Sequence, residues 1–130
     1  MKYLLDTCTY LWIITDNQKN LSDKVREIFP DKNNEIYISV ISQIEMTIKQ
    51  MKHRIPGLSR PVIDYYKKDR IGSEVDLLTL SPEDIDCLTK LPKIHSDPFD
   101  RLLIAQAINR GMTILTPDKK FKKYPVRIIF

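Results

Sequence analysis

Apolar residues in this chain fall into short runs and helical rows, separated by clusters of proline, glycine and polar residues. Lys2–Leu5 is a short run consistent with a buried strand. Tyr10, Leu11 and Ile14 then recur at helical spacing over Thr7–Thr15. Ser22 is placed to cap a second helix that runs to Phe29 and is closed by Pro30. Glu35–Ile38 reads as the next strand. Over Ser39–Lys52, Ile41, Ile44, Ile48 and Met51 recur in steps of three and four, which predicts an amphipathic helix broken by Pro56-Gly57. A helix is expected over Arg60–Lys68 and a strand over Val75–Leu80. Ser81-Pro82-Glu83-Asp84 combines a cap, a first-position proline and first-turn acids, so a helix is predicted from there to about Leu91. Asp97-Pro98 opens another, whose apolar positions Phe99, Leu102, Leu103, Ala107 and Ile108 lead to a stop at Gly111. Met112–Thr116 and Val126–Ile129 are short buried strands. Strands alternating with helices predict an α/β fold with a mainly parallel sheet.

Length and composition narrow the class. With 130 residues, 42% hydrophobic and 29% charged, the chain suits one soluble globular domain, 1–130, without repeats, low-complexity segments or linkers. The early apolar stretch Tyr10–Ile14 is too short to span a bilayer, and Asp6 interrupts any signal-peptide core, so no membrane association is expected. Cys8 and Cys87 do not make a disulfide framework; reduced thiols in a cytoplasmic protein are the simpler reading.

The net charge of +4 is unevenly placed. Acids and bases cancel up to Pro117, after which Lys119, Lys120, Lys122, Lys123 and Arg127 face Asp118 alone. A second basic excess lies between Lys49 and Arg70. Both are compatible with a polyanionic partner and equally with a solvated surface.

In an open parallel sheet, ligands collect beyond the carboxyl ends of the strands. Asp6 follows the first strand directly and Asp118 lies two residues beyond Met112–Thr116, so both sit where that rule expects chemistry; helix capping and a turn role are the alternatives. Around the Ser39–Lys52 helix, Glu45 lies about 40° from Ile41 and about 60° from Ile48 at 100° per residue. It borders the row expected to face the core, where a carboxylate needs a positive partner, either Lys49 one turn on or a bound cation. Asp97 and Asp100, three apart at a helix start, share a face, although only one is needed as a cap. Arg101 is placed to hold one of them or to reach a phosphate. Carboxylates converging on one cleft repel unless a cation neutralises them, and oxygen-only ligands favour Mg²⁺ or Mn²⁺ over zinc. Such ions position and activate water for attack on phosphodiesters. No glycine-rich phosphate loop or nucleophile elbow competes with this reading. His53 reads as a surface residue, and His95 as at most a supporting or substrate contact.

The segments Leu4–Thr7 (LLDT) with Leu11-Trp12, 39–45 (SVISQIE), 95–107 (HSDPFDRLLIAQA) and 114–118 (ILTPD) with Phe121 and Tyr124 run through nearly the whole chain in this order. In these residues the chain resembles the PIN-domain family, and within it the VapC-type toxin ribonucleases of type II toxin–antitoxin pairs, in particular a subgroup carrying DPFDRLLIAQA. The resemblance implies a three-layer α/β/α sandwich. It also implies a Mg²⁺- or Mn²⁺-dependent endoribonuclease that cuts RNA with a metal-activated water. Asp6, Glu45, Asp100 and Asp118 correspond to its metal-binding acids, with Asp97 as a catalytic accessory. The hydroxyls of Thr7 and Thr116 would support them, and a homodimer and a cognate antitoxin are further implications. One position departs: where relatives often carry Asp, three residues before Ile104-Ala105, this chain has Arg101, with acids one and four residues earlier. The direct ligand is then either Asp97 or Asp100. Lys119, Lys120, Lys122 and Lys123 adjoin Asp118 and are placed to grip an RNA backbone. A catalytically inactive interaction module and a DNA-directed nuclease using the same metal site are the alternatives.

Overall fold

The computed structural model describes residues 1–67 and 74–130. Strands β1 (Lys2–Leu5), β2 (Glu35–Ser39), β3 (Val75–Leu78), β4 (Thr113–Leu115) and β5 (Ile128–Ile129) form one sheet in the order β3-β2-β1-β4-β5. All four pairings are parallel. Parallel strands need crossovers, and helices α1 (Thr7–Ile14), α2 (Asp23–Ile28), α3 (Val40–Lys52), α4 (Val62–Tyr66), α5 (Pro82–Cys87) and α6 (Pro98–Arg110) accompany the strands. Because helices cover both faces, the strands read as continuous apolar runs. Tyr3, Leu5, Ile36, Ile38 and Leu115 point into one core with Tyr10, Val25, Met46 and Val62, whereas Leu4 and Ile114 point into the other with Ile41, Leu103, Ile104 and Phe121. This is the three-layer α/β/α sandwich expected from the sequence.

Local chemistry sets most element ends. Ser22 accepts a hydrogen bond from the Val25 amide at the start of α2, and Ser81 with Asp84 forms a reciprocal capping box at the start of α5. Asp97 caps α6, which ends at Gly111 in the left-handed conformation (φ 65°), where the Gly111 amide reaches the Ala107 and Ile108 carbonyls.

Several elements are shorter than the pattern predicts. The helix expected over Arg60–Lys68 is Val62–Tyr66 within the described residues, since Pro61 starts it; Lys68 lies outside those residues. β3 stops at Leu78 rather than Leu80 because the Thr79 carbonyl accepts from Gln106 and Arg110 instead of a neighbouring strand. α5 ends at Cys87 and tightens into a 3₁₀ turn, Leu88–Lys90, before Pro92. β5 begins at Ile128, after a 3₁₀ turn over Lys119–Lys123 that no apolar spacing announced.

The larger correction concerns α3. Its row of Ile44, Ile48 and Met51 is exposed; the helix packs instead through Ile41, Ser42 and Met46. Periodicity identified a row but not the neighbour it faces, and α3 has apolar residues on two sides. Among the described residues, no helix is long and apolar enough to cross a membrane.

Candidate metal centre

Asp6 leaves β1 at the carboxyl edge of the sheet, beside the end of β4, where its backbone amide donates to the Leu115 carbonyl. Its side chain is 6% exposed and both oxygens are occupied: Oδ1 accepts from the Thr9 amide at 2.8 Å, and Oδ2 from the Thr116 hydroxyl at 2.6 Å. The capping alternative and the cleft position therefore coincide in one residue. Burial pushes the Asp6 carboxyl up, against the pull of the Thr116 and Thr9 hydrogen bonds, and Asp118 adds to the rise.

Thr116 ties two acids together, because its hydroxyl oxygen also accepts the Asp118 amide at 3.1 Å. Asp118 in turn caps the Lys119–Lys123 turn by accepting from the Lys120 amide at 2.9 Å. Across the cleft, the Thr7 hydroxyl donates to Glu45 Oε1 at 2.6 Å and lies 2.9 Å from Ser42 Oγ. Glu45 is half-buried, and no ion pair joins it to Lys49 among the described residues, although Lys49 borders the same cleft.

α6 brings in the remaining acids. Asp97 spends Oδ1 on the Phe99 amide at 2.9 Å, as a cap should. Asp100, one turn on, faces the cleft, and burial first, then Asp97, Glu45, Asp6 and Asp118, pushes its carboxyl up to about 7. The result is a cleft of about 390 Å³ holding Asp6, Glu45, Asp100 and Asp118, with Thr7, Cys8, Leu11, Lys49 and Pro117 around them. Asp97 is not among the cleft residues. Arg101 forms no ion pair with either acid among the described residues, and its buried Nε finds no partner there.

His95 is the residue that sequence reasoning undervalued. Nε2 lies 3.0 Å from Asp100 Oδ2 and 3.8 Å from Asp118 Oδ2, and one ligand atom from each of the three residues falls within 4.8 Å of the others. Its Nδ1 accepts the Asp97 amide at 3.1 Å, so the neutral ring carries its proton on Nε2, facing both carboxylates. The contact is close yet leaves buried Nε2 without a well-aligned hydrogen bond among the described residues. The ring stands edge-on to Phe121, and the His95 amide donates to the Tyr124 hydroxyl at 2.6 Å. The readable signal was a histidine two residues ahead of the Asp97 cap, on the loop that feeds the same helix start.

This donor set fits a hard divalent cation. Burial first, and then the charges of Asp97, Glu45, Asp6 and Asp118, raise the Asp100 carboxyl, which is the condition a bound cation relieves. The imidazole stands beside this oxygen set with its Nε2–H turned toward Asp100 and Asp118, and its unprotonated Nδ1 is already engaged by the Asp97 amide.

The PIN-domain family model matches residues 3–126. The chain belongs to the PIN-domain family. Solved structures place this PIN domain among similar folds. A chain of the VapBC2 complex of Rickettsia felis, bound to a promoter DNA fragment, is 21% identical, with a TM-score of 0.74 over 99% of this chain and 98% of that one. A chain of the DNA-bound VapBC complex of Salmonella typhimurium is also 21% identical, at 0.69 over 99% and 97%. A chain of FitAcB from Neisseria gonorrhoeae is 15% identical, at 0.64 over 98% and 96%. No curated protein sequence matches this PIN domain.

Proposed function

We propose that this PIN domain is a Mg²⁺- or Mn²⁺-dependent endoribonuclease, the VapC-type toxin of a type II toxin–antitoxin pair acting in the cytoplasm. The observation that carries the reading is the convergence of Asp6, Glu45, Asp100 and Asp118 on one cleft at the carboxyl edge of the sheet. Those four acids would hold the ion, with the His95 ring turned toward Asp100 and Asp118. Bound there, Mg²⁺ or Mn²⁺ supplies neutralising charge for a phosphodiester and activates water toward it.

The chain's own groups set the geometry. Thr116 fixes Asp6 and the Asp118 backbone in one arrangement, and Thr7 fixes one oxygen of Glu45 while leaving the other free. His95 keeps its Nε2 proton aimed at Asp100 and Asp118. Asp97 holds the start of α6 and the His95 ring in place, so its accessory role is one of positioning. Lys119, Lys120, Lys122 and Lys123, exposed on the turn that Asp118 caps, suit an RNA backbone leaving the cleft. The fold shared with chains of VapBC complexes supports an antitoxin partner. The exposed apolar row of Ile44, Ile48 and Met51, with Ile63 also exposed on α4, suits protein contacts, either that antitoxin or a second copy in a homodimer.

The test is cleavage of structured total RNA by the purified protein with Mn²⁺, with EDTA, and by Asp6→Asn. Discrete fragments are expected only from the wild-type protein with Mn²⁺. Fragments that persist in EDTA or in Asp6→Asn would overturn the reading.

A further inference from the structure

Beside the acid cleft lies a second pocket of about 330 Å³, bordered by Lys24, Lys119 and Lys122 and floored by Ile128, Ile129 and Phe130. Thr116 and Pro117 form the wall between the two: Pro117 borders both, and the Thr116 hydroxyl is the one bonded to Asp6. Among the described residues, no acid borders this second pocket. Among the described residues, none of its three lysines forms an ion pair.

Lys24 is the informative member. It stands in the first turn of α2, where the helix dipole disfavours a cation, and its neighbour Asp23 is the residue that suits that position. Nothing in its own helix accounts for a lysine there. The fold nevertheless brings it to Lys119 and Lys122, about a hundred residues further along the chain, so three lysines from two distant segments border one pocket together with Ile128, Ile129 and Phe130. Phe130 on that floor is packed against Trp12, with ring centroids 6.0 Å apart, which gives the pocket an aromatic base.

We infer that this pocket seats an RNA phosphate next to the one that is cut, with Lys24 as a substrate-positioning residue. The inference rests on the nuclease reading above. A strand crossing Pro117 with one phosphate at the acids carries a neighbouring phosphate toward the lysines, and its sugar or base lies on the apolar floor. An acidic protein segment would meet the same lysines. The pocket opens beside the acid cleft, however, so its occupant is better understood as a continuation of the strand being cut.

The experiment is fluorescence anisotropy of a labelled single-stranded RNA in EDTA, where no cleavage occurs, across a salt series. The proteins compared are wild type, Lys24→Gln, the triple variant Lys24→Gln/Lys119→Gln/Lys122→Gln, and Lys32→Gln. Lys32→Gln removes the same charge from the turn before β2, at the opposite edge of the sheet. The triple variant is expected to lose ~10-fold or more in affinity, with the salt dependence flattened by about 0.7 log units for each phosphate that is no longer neutralised. Lys24→Gln alone should show part of both effects and Lys32→Gln neither, with unchanged thermal melts. Wild-type affinity and slope in the triple variant would overturn the inference. So would a triple variant that keeps RNA but loses polyglutamate, which would make the pocket a protein site. Neither result touches the nuclease reading, which the wild-type cleavage assay decides separately. A wild-type protein that binds no RNA overturns the inference together with the RNA substrate.

Discussion

Asp100 shows at the scale of one residue what burying a carboxylate among other carboxylates costs. Its carboxyl is held up to about 7 in the fold, against 3.8 for an ordinary aspartate. The folded state thus holds the proton more tightly than the unfolded state does. Stability contributed by this group is full below about pH 4 and is lost as pH rises toward 7. Asp100→Asn removes that dependence. In the metal-free protein at pH 8 the variant is expected to gain about 1–2 kcal/mol after solvent screening, seen as a Tm a few degrees above wild type. The same substitution is expected to abolish Mn²⁺-dependent RNA cleavage. A Tm at or below wild type would show that Asp100 is not under the strain described. Ordinary surface acids would not behave this way, because replacing them changes stability little.

Asp84 acts between elements. It is fully buried, and burial alone would push its carboxyl up; the hydrogen bonds from Arg110, the Ser81 amide, Asn109 and Gln106 hold it well below the usual carboxylate range. Arg110 reaches both oxygens at 3.0 Å, so Asp84 joins the start of α5 to the last turn of α6, while Gln106 extends the link to Ser39 at the end of β2. Asp84→Ala strands these donors and is expected to cost ~2–4 kcal/mol in urea denaturation at pH 7. The difference should fade as pH falls below about 4, because a depressed carboxyl contributes stability only while it is ionised. The start of α5 was legible in the sequence, since a cap, a proline and first-turn acids are local chemistry. The Arg110 partnership was not, because it spans two helices. The same distinction separates the acids from His95. Asp6 and Asp118 could be placed from strand ends alone. His95 is oriented by Asp97 nearby but also by Tyr124, 29 residues on, and no local pattern carries that. For α3 the row was legible and its direction was not, because the positions of α4, α6 and α1 decide which side is inside.

At the scale of the whole molecule, the cleft draws its four acids from the segments that follow β1 and β4 and from α3 and α6. An ion held there would bridge all four, and binding to the folded state alone adds stability by mass action. Mn²⁺ at 100 times its Kd is expected to add about 2.7 kcal/mol to the unfolding free energy in urea. At one fixed Mn²⁺ concentration the gain should be larger at pH 8 than at pH 5.5, where Asp100 keeps its proton. Equal protection at both pH values, or equal protection of Asp6→Asn, would argue against this site. The sheet order has a consequence for how the protein is made. β1 precedes the other four strands in chain order, yet it sits at the centre and pairs with β4, so Tyr3 waits for Thr113 and Asp6 for Thr116. Such long-range pairing closes late and slowly. A nascent chain therefore carries Asp6 and Asp118 apart until the segment through β4 has been made. The cleft is assembled only once residues as far as Asp118 have left the exit tunnel.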